Sequence, residues 1–233
     1  MVLPTKGVSL CLLFSFLLSS SKLFMPTEWR ICNTTVDLGF IIDSSGSIGK
    51  RNYVKIKTFV KYLARSFGIS PTGSRAGVVL YSTKASVKAH FGQNRTIEEF
   101  NKLVDGLPHE KGFTYIDKAL ELAASQLFPH ARKDVPRIAM LLTDGKQTDP
   151  AGTVNLRVSS APLRRQGVRL IAFGVGKSID VRELRLAVER DEDVVRVMKF
   201  DDLITKARNY SKSLCEAAGE ENETKILVKI FLI

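Results

Sequence analysis

Between Val36 and Cys215 short, mostly apolar runs alternate with segments of helical period, and this alternation constrains the fold more than any other feature. Val36–Ile42 and Arg137–Thr143 read as buried strands, and Gly77–Tyr81, Val168–Val175 and Val194–Phe200 as further strands. Ser86–Phe91 alternates instead, as an edge strand does. The intervening segments are helical. Lys50–Phe67 places Ile56, Phe59, Val60, Leu63 and Phe67 on one side, and Thr114–Phe128 carries the stripe Ile116, Ala119, Leu120, Ala123, Leu127. Shorter helices are expected over Thr96–Val104 and Thr153–Gln166, the latter kinked or divided by Pro162. Asp180 and Glu183 have capping-box spacing for a helix through Val188, and Asp201 caps a final helix ending near Cys215. The prediction is one doubly wound, Rossmann-like α/β domain, its sheet mostly parallel with one antiparallel edge strand and helices on both faces.

The ends read differently from the middle. Residues 1–21 have the order of a secretory signal, with Lys6, the apolar core Val8–Leu18, then Ser19, Ser20 and Ser21, after which cleavage is expected. A lead with Cys32 follows over 22–35, the domain fills 36–215, and 216–233 is a tail. The tail's polar start gives way to apolar Ile226–Ile233, too short to span a bilayer. Removing the signal takes Cys11 with it and leaves Cys32 and Cys215, an even pair in an oxidising compartment, whose bridge would join the two ends of the domain. Sequons at Asn33, Asn94, Asn209 and Asn222 fit the same secreted, glycosylated chain.

Chemistry is concentrated where apolar strands stop. Asp43-Ser44-Ser45-Gly46-Ser47 follows the first strand, Gly112-Phe113-Thr114 precedes the strongest helix, and Thr143-Asp144-Gly145 follows the Arg137 strand. In an open parallel sheet such ends surround the ligand crevice. Asp43 and Asp144 would repel each other there unless a positive charge lay between them. The neighbouring donors are hydroxyl and carboxylate oxygens without Cys or His, a set that suits octahedral Mg²⁺ or Mn²⁺ and argues against zinc. Gly46 and Gly49 would allow the tight turn that aims Ser45 and Ser47 inward.

With these segments in order the chain resembles a von Willebrand factor type A domain. Asp43-x-Ser45-x-Ser47, Thr114 and Asp144 match all five positions of that family's metal-ion-dependent adhesion site. Lys118-Ala119-Leu120, Gly167-Val168, Phe173-Gly174-Val175-Gly176 and Phe200-Asp201-Asp202-Leu203 extend the likeness over about Val36–Cys215. It is nearest to the secreted matrix versions, in matrilins and collagen-associated domains, whose cysteines also flank the domain. The resemblance implies that Ser45, Ser47 and Thr114 coordinate Mg²⁺ through hydroxyls and that Asp43 and Asp144 hold it mostly through water. A partner's carboxylate would then complete the shell. Ile116-Asp117 stands where many members have Thr-Gly. The stretch after Asp144 leaves little room for the extra helix of collagen-binding integrin domains. The implied function is adhesion to matrix or cell-surface proteins, collagen among the candidates, by a secreted matrix protein that is not an enzyme.

Two other functional classes compete for these residues. A phosphoryl-accepting aspartate enzyme of the haloacid dehalogenase type needs a second Asp where Ser45 stands, and nucleotide-binding glycine loops and a nucleophile elbow are missing. His90, His109 and His130 are scattered, with solvated or packing roles expected. Lys+Arg 35 against Asp+Glu 24 gives a net charge of +11, which favours anionic partners. Arg51, Lys55, Lys57, Lys61 and Arg65 share a helix face, and Arg164, Arg165 and Arg169 lie close in sequence. The alternative is therefore metal-independent binding of sulfated glycosaminoglycan or another acidic matrix polymer. Nucleic acid does not fit a secreted chain, and a membrane span is not expected.

Overall fold

The computed structural model describes residue 32 and residues 34–149 and 152–215. The signal at 1–21, Cys11, most of the lead, Asn33, the 216–233 tail and Asn222 lie outside the described residues. In chain order the elements are β1 (Asp37–Asp43), α1 (Gly49–Ser66), β2 (Arg75–Tyr81), β3 (Ala85–Ala89), α2 (Ile97–Asp105), α3 (Ile116–Leu122), β4 (Arg137–Thr143), α4 (Leu156–Arg165), β5 (Val168–Val175), α5 (Val181–Ala187) and β6 (Val194–Val197). A last helix, α6, spans 203–215. α3 continues through a π turn over Ala123–Leu127 and a 3-10 turn over Phe128–His130.

One six-stranded sheet runs β3-β2-β1-β4-β5-β6. All pairings are parallel except β2 with β3. Apolar side chains alternate between two cores. Leu38, Phe40 and Ile42 of β1 pack with the stripe of α1, with Phe100 of α2 and with Leu203 and Ala207 of α6. Ile41 faces the other way, with Val79, Leu141 and Ala172, onto α3, α4 and α5. Gly39 and Gly77 make room on that second face, because a Cβ on Gly39 would lie 2.6 Å from Phe128 Cζ and one on Gly77 2.5 Å from Leu127 Cδ1.

The register places the functional end. Asp43 pairs with Tyr81, Ile42 with Leu142, and Thr143 with Gly174, so β1, β2, β4 and β5 finish level. The chain leaves β1 toward β2 and later returns to β4 on its other side. The crevice where the winding reverses therefore opens between the carboxyl ends of β1 and β4. At the opposite end Cys32 is disulfide-bonded to Cys215, and the Cys32 amide donates to the Ser66 carbonyl at the end of α1.

Two local expectations are corrected and a third is narrowed. Pro162 lies inside α4 without dividing it, and Arg164 folds back to donate to the Ser160 hydroxyl and the Arg157 carbonyl over the same turns. Asp180 caps α5 by accepting from the Arg182 amide, but Glu183 does not complete a box; its Oε2 accepts the Gln147 amide at 3.0 Å. The capping box is at α2, where Thr96 and Glu99 bond each other's amides. The last strand stops at Val197, and the turn from Phe200 to Asp202 is 3-10 before α6 begins. Among the described residues no helix is long and apolar enough to cross a membrane.

Candidate metal site

β1 and β4 are buried along their length, so the polar residues that end them begin the site. Asp43, fully buried, accepts the Ser45 amide at Oδ1 (2.8 Å) and the Thr143 hydroxyl at Oδ2 (2.9 Å). Ser47 donates to Asp144 Oδ1 at 2.7 Å, which leaves the Ser45 hydroxyl to donate to Ser47 Oγ at 3.1 Å. Asp43, Ser45, Ser47 and Asp144 thus lie in one compact group although Asp144 is about a hundred residues from the others. Gly46 is not the turn residue expected: its φ is not positive, whereas Gly49 has φ 69° and opens α1. Instead, the Gly46 amide donates to the Gly112 carbonyl at 3.1 Å, drawing in the loop that carries Thr114.

Thr114 is buried and tied by its backbone to the segment after Asp144. Its amide donates to Thr148 Oγ1 at 3.1 Å, and its carbonyl accepts the Thr148 amide at 2.9 Å. Asp117, one turn further on, is also buried. Its amide donates to Gln147 Oε1 at 2.7 Å and its Oδ2 accepts the Val154 amide at 3.1 Å, while Oδ1 has no partner. Asp117 therefore holds the post-Asp144 segment against α3.

Sequence reasoning missed several positioning residues. Thr143 orients the Asp43 carboxylate from the adjacent strand. Ser44 donates to the Pro108 carbonyl and accepts the Glu110 amide, fastening the 106–112 loop to the Asp43 loop. His109 bonds the Ser45 carbonyl through Nε2 at 3.0 Å and stacks on Tyr53 with ring centroids 4.9 Å apart. Thr143 stood in plain view in Leu142-Thr143-Asp144; no local pattern marked His109.

Electrostatics separates this group from the other buried acids. Asp37 is buried against Arg132 (2.6 Å), Asp193 against Arg169 (2.7 Å), and Asp117 has Lys118 at 4.0 Å. Among the described residues Asp43 and Asp144 are the buried aspartates without a basic partner. Burial, with the nearby Asp144 charge, pushes the Asp43 carboxyl up to about 6 against the hydrogen bonds that lower it. Burial also raises Asp144. Two desolvated carboxylates with no protein cation, ringed by hydroxyls, are a donor set that fits a hard divalent ion. No three of His, Cys, Asp and Glu gather as a metal cluster among the described residues, and this group has only two such acids.

The family model of the von Willebrand factor type A domain matches residues 37–208. The chain belongs to that family. The human collagen alpha-1(XXI) chain is 31% identical over 212 residues, covering 89% of this chain and 22% of the collagen. Human matrilin-4 is 26% identical over 198 residues, 82% of this chain and 31% of the matrilin. The chain thus spans less than a third of either relative. Among solved structures, proximal thread matrix protein 1 of the mussel byssus superposes with a TM-score of 0.74 at 26% identity, over 79% of this chain and 48% of that one. Another structure of the mussel protein, with TM-score 0.73, 26% identity and coverage of 79% and 49%, has a zinc-occupied MIDAS motif. The collagen and matrilin relatives are secreted proteins of the extracellular matrix.

The basic faces read from the sequence are largely spent within the type A domain. Lys55 pairs with Asp201 at 2.6 Å, Lys61 with Asp105 at 2.6 Å, and Lys57 donates to the Asp105 and Leu107 carbonyls. Of that face, Arg51 and Arg65 are exposed and have no ion pair among the described residues. Arg169 is held by Asp193, and Arg164 bonds the Ala187 carbonyl. Asn94 is exposed in the loop before α2, and Asn209 is exposed on α6.

Proposed function

We propose that this type A domain is an adhesion module that binds matrix or cell-surface proteins through Mg²⁺, and that it is not an enzyme. Ser45, Ser47 and Thr114 would offer hydroxyl oxygens to the ion, and Asp43 and Asp144 their carboxylates. The bound ion supplies Lewis acidity toward a carboxylate of the partner. The chain's own residues do the rest: Thr143 and the Ser45 amide fix Asp43, Ser47 fixes Asp144, and His109 and Ser44 fix the intervening loop. The observation that carries this reading is the pair of buried, unpaired aspartates in a fold that answers its other buried aspartates with Arg or Lys. Mn²⁺ would serve in place of Mg²⁺.

The relatives support the matrix setting, since collagen XXI and matrilin-4 are matrix proteins. The occupied motif of the mussel protein supports a metal at the corresponding end of the fold. The test is capture of matrix proteins by the full chain in Mg²⁺, in EDTA, and by Asp43→Ala. Capture in Mg²⁺ alone is expected; equal capture in all three would refute metal-dependent adhesion. Binding insensitive to EDTA but lost in high salt would favour the glycosaminoglycan alternative.

A further inference from the structure

The loop between α2 and α3 carries a second feature beside Thr114. Lys111 has φ 62°, and it is the non-glycine residue with positive φ among the described residues. A lysine there carries a conformational cost that glycine would avoid. The loop is nevertheless held rigidly. The Lys111 amide donates to the Ser44 carbonyl at 2.7 Å, and the Gly112 carbonyl accepts from Gly46. The Phe113 amide donates to Thr83 Oγ1 at 3.0 Å. Gly112, at φ 90°, cannot carry a side chain, because a Cβ would lie 2.3 Å from Thr83 Oγ1.

What this clamp presents outward is a cation and an aromatic. Lys111 is exposed and has no ion pair among the described residues. Phe113 is 57% exposed and stacks on Tyr115, with ring centroids 5.9 Å apart and planes at 22°. A single exposed Phe is common on protein surfaces. This one is fixed by its own amide, adjoins Thr114, and forms a two-ring platform, which is the amphipathic, low-entropy kind of contact enriched in binding hot spots. The neighbouring Glu110 does not cancel Lys111, because it pairs with Lys88 at 3.3 Å.

We propose that Lys111 and the Phe113–Tyr115 platform form a specificity rim. It selects, among acidic ligands of the site, a protein segment with a large apolar or aromatic residue beside the metal-bound acid and a second acid for Lys111. The proposal rests on the metal-dependent reading above and deepens it. The apolar residue covers the rings, the second acid meets the exposed ammonium, and the rigid loop fixes their spacing from the ion before the partner arrives.

The probe is a random heptapeptide display library selected on the full oxidised chain in Mg²⁺ and eluted with EDTA. The expected pool carries Asp or Glu with Phe, Tyr, Trp, Leu or Ile within two residues, and a second acid. On Phe113→Ala the apolar preference disappears while EDTA-eluted acidic peptides remain. The dominant wild-type peptide then binds about tenfold more weakly. Phe113→Trp restores both. On Lys111→Gly, which suits the backbone, the second acid disappears from the pool. An EDTA-eluted pool without apolar bias, or one unchanged by Phe113→Ala, overturns the rim and leaves the metal reading standing. A pool that EDTA does not release, or no enrichment at all, contradicts the metal reading and the rim with it.

Discussion

At the scale of single residues, the contrast between Asp43 and Asp37 sets the account. They are the two ends of one strand, both fully buried, and Asp37 alone has an arginine. Burying an unpaired carboxylate is costly, and the raised Asp43 and Asp144 pKa values express that cost. On the proposed reading, a divalent ion held by these carboxylates would convert the cost into affinity. Saturating Mg²⁺ should therefore raise stability by about 2.7 kcal/mol when present at about 100 times its Kd. For a domain of this size that is a rise in Tm of roughly 5–10 °C. Asp144→Asn keeps an oxygen to accept from Ser47 but removes a charge. The expected outcome is a metal-free Tm no lower than wild type and loss of the Mg²⁺-dependent rise, read by scanning calorimetry with and without EDTA. A full Mg²⁺ response in the variant would remove Asp144 from the site.

At the scale of elements, close packing of α3 on the sheet depends on two missing side chains. Gly39 and Gly77 accept Phe128 and Leu127 from the irregular end of α3. Gly39→Ala should cost about 1–3 kcal/mol through overpacking, measured as a lower urea midpoint at unchanged m-value. A neutral result would mean that the Phe128 ring yields freely. This scale also shows what could be read in advance. Buried strands and striped helices were legible because the sheet is covered on both faces, which turns strands into unbroken apolar runs and helices into one-sided stripes. The grouping of Asp43, Ser45, Ser47 and Asp144 was legible because their segments follow the ends of two core strands. The Glu183 contact with Gln147 and the His109 contact with Ser45 were not, since they join loops that only the tertiary fold brings together. α4 runs undivided through Pro162 because a proline removes one helical bond but not the packing of its helix, where Ser159, Ser160 and Leu163 are buried.

At the scale of the whole molecule, structure and site occupy opposite poles. The crevice lies at the carboxyl ends of β1 and β4, and α1 starts there. α1's 18 residues carry the chain about 27 Å away, to Ser66 and the Cys32–Cys215 bridge. Closing 183 residues of chain is worth about 5 kcal/mol on the chain-entropy model. Replacing both cysteines, Cys32→Ser with Cys215→Ser, should lower unfolding free energy by about 2–5 kcal/mol in urea. Mg²⁺ affinity measured by calorimetry below the unfolding transition should stay within about threefold of wild type, because distant, unshared sites act additively. A large loss of Mg²⁺ affinity in the folded variant would show the two poles to be coupled.

The most direct measurement is anomalous X-ray scattering from crystals of the full chain grown with Mn²⁺. One peak between Asp43 and Asp144, bordered by the hydroxyls of Ser45, Ser47 and Thr114, is the predicted result. Well-ordered crystals with no manganese there, or with the ion bound only at other residues, would contradict it.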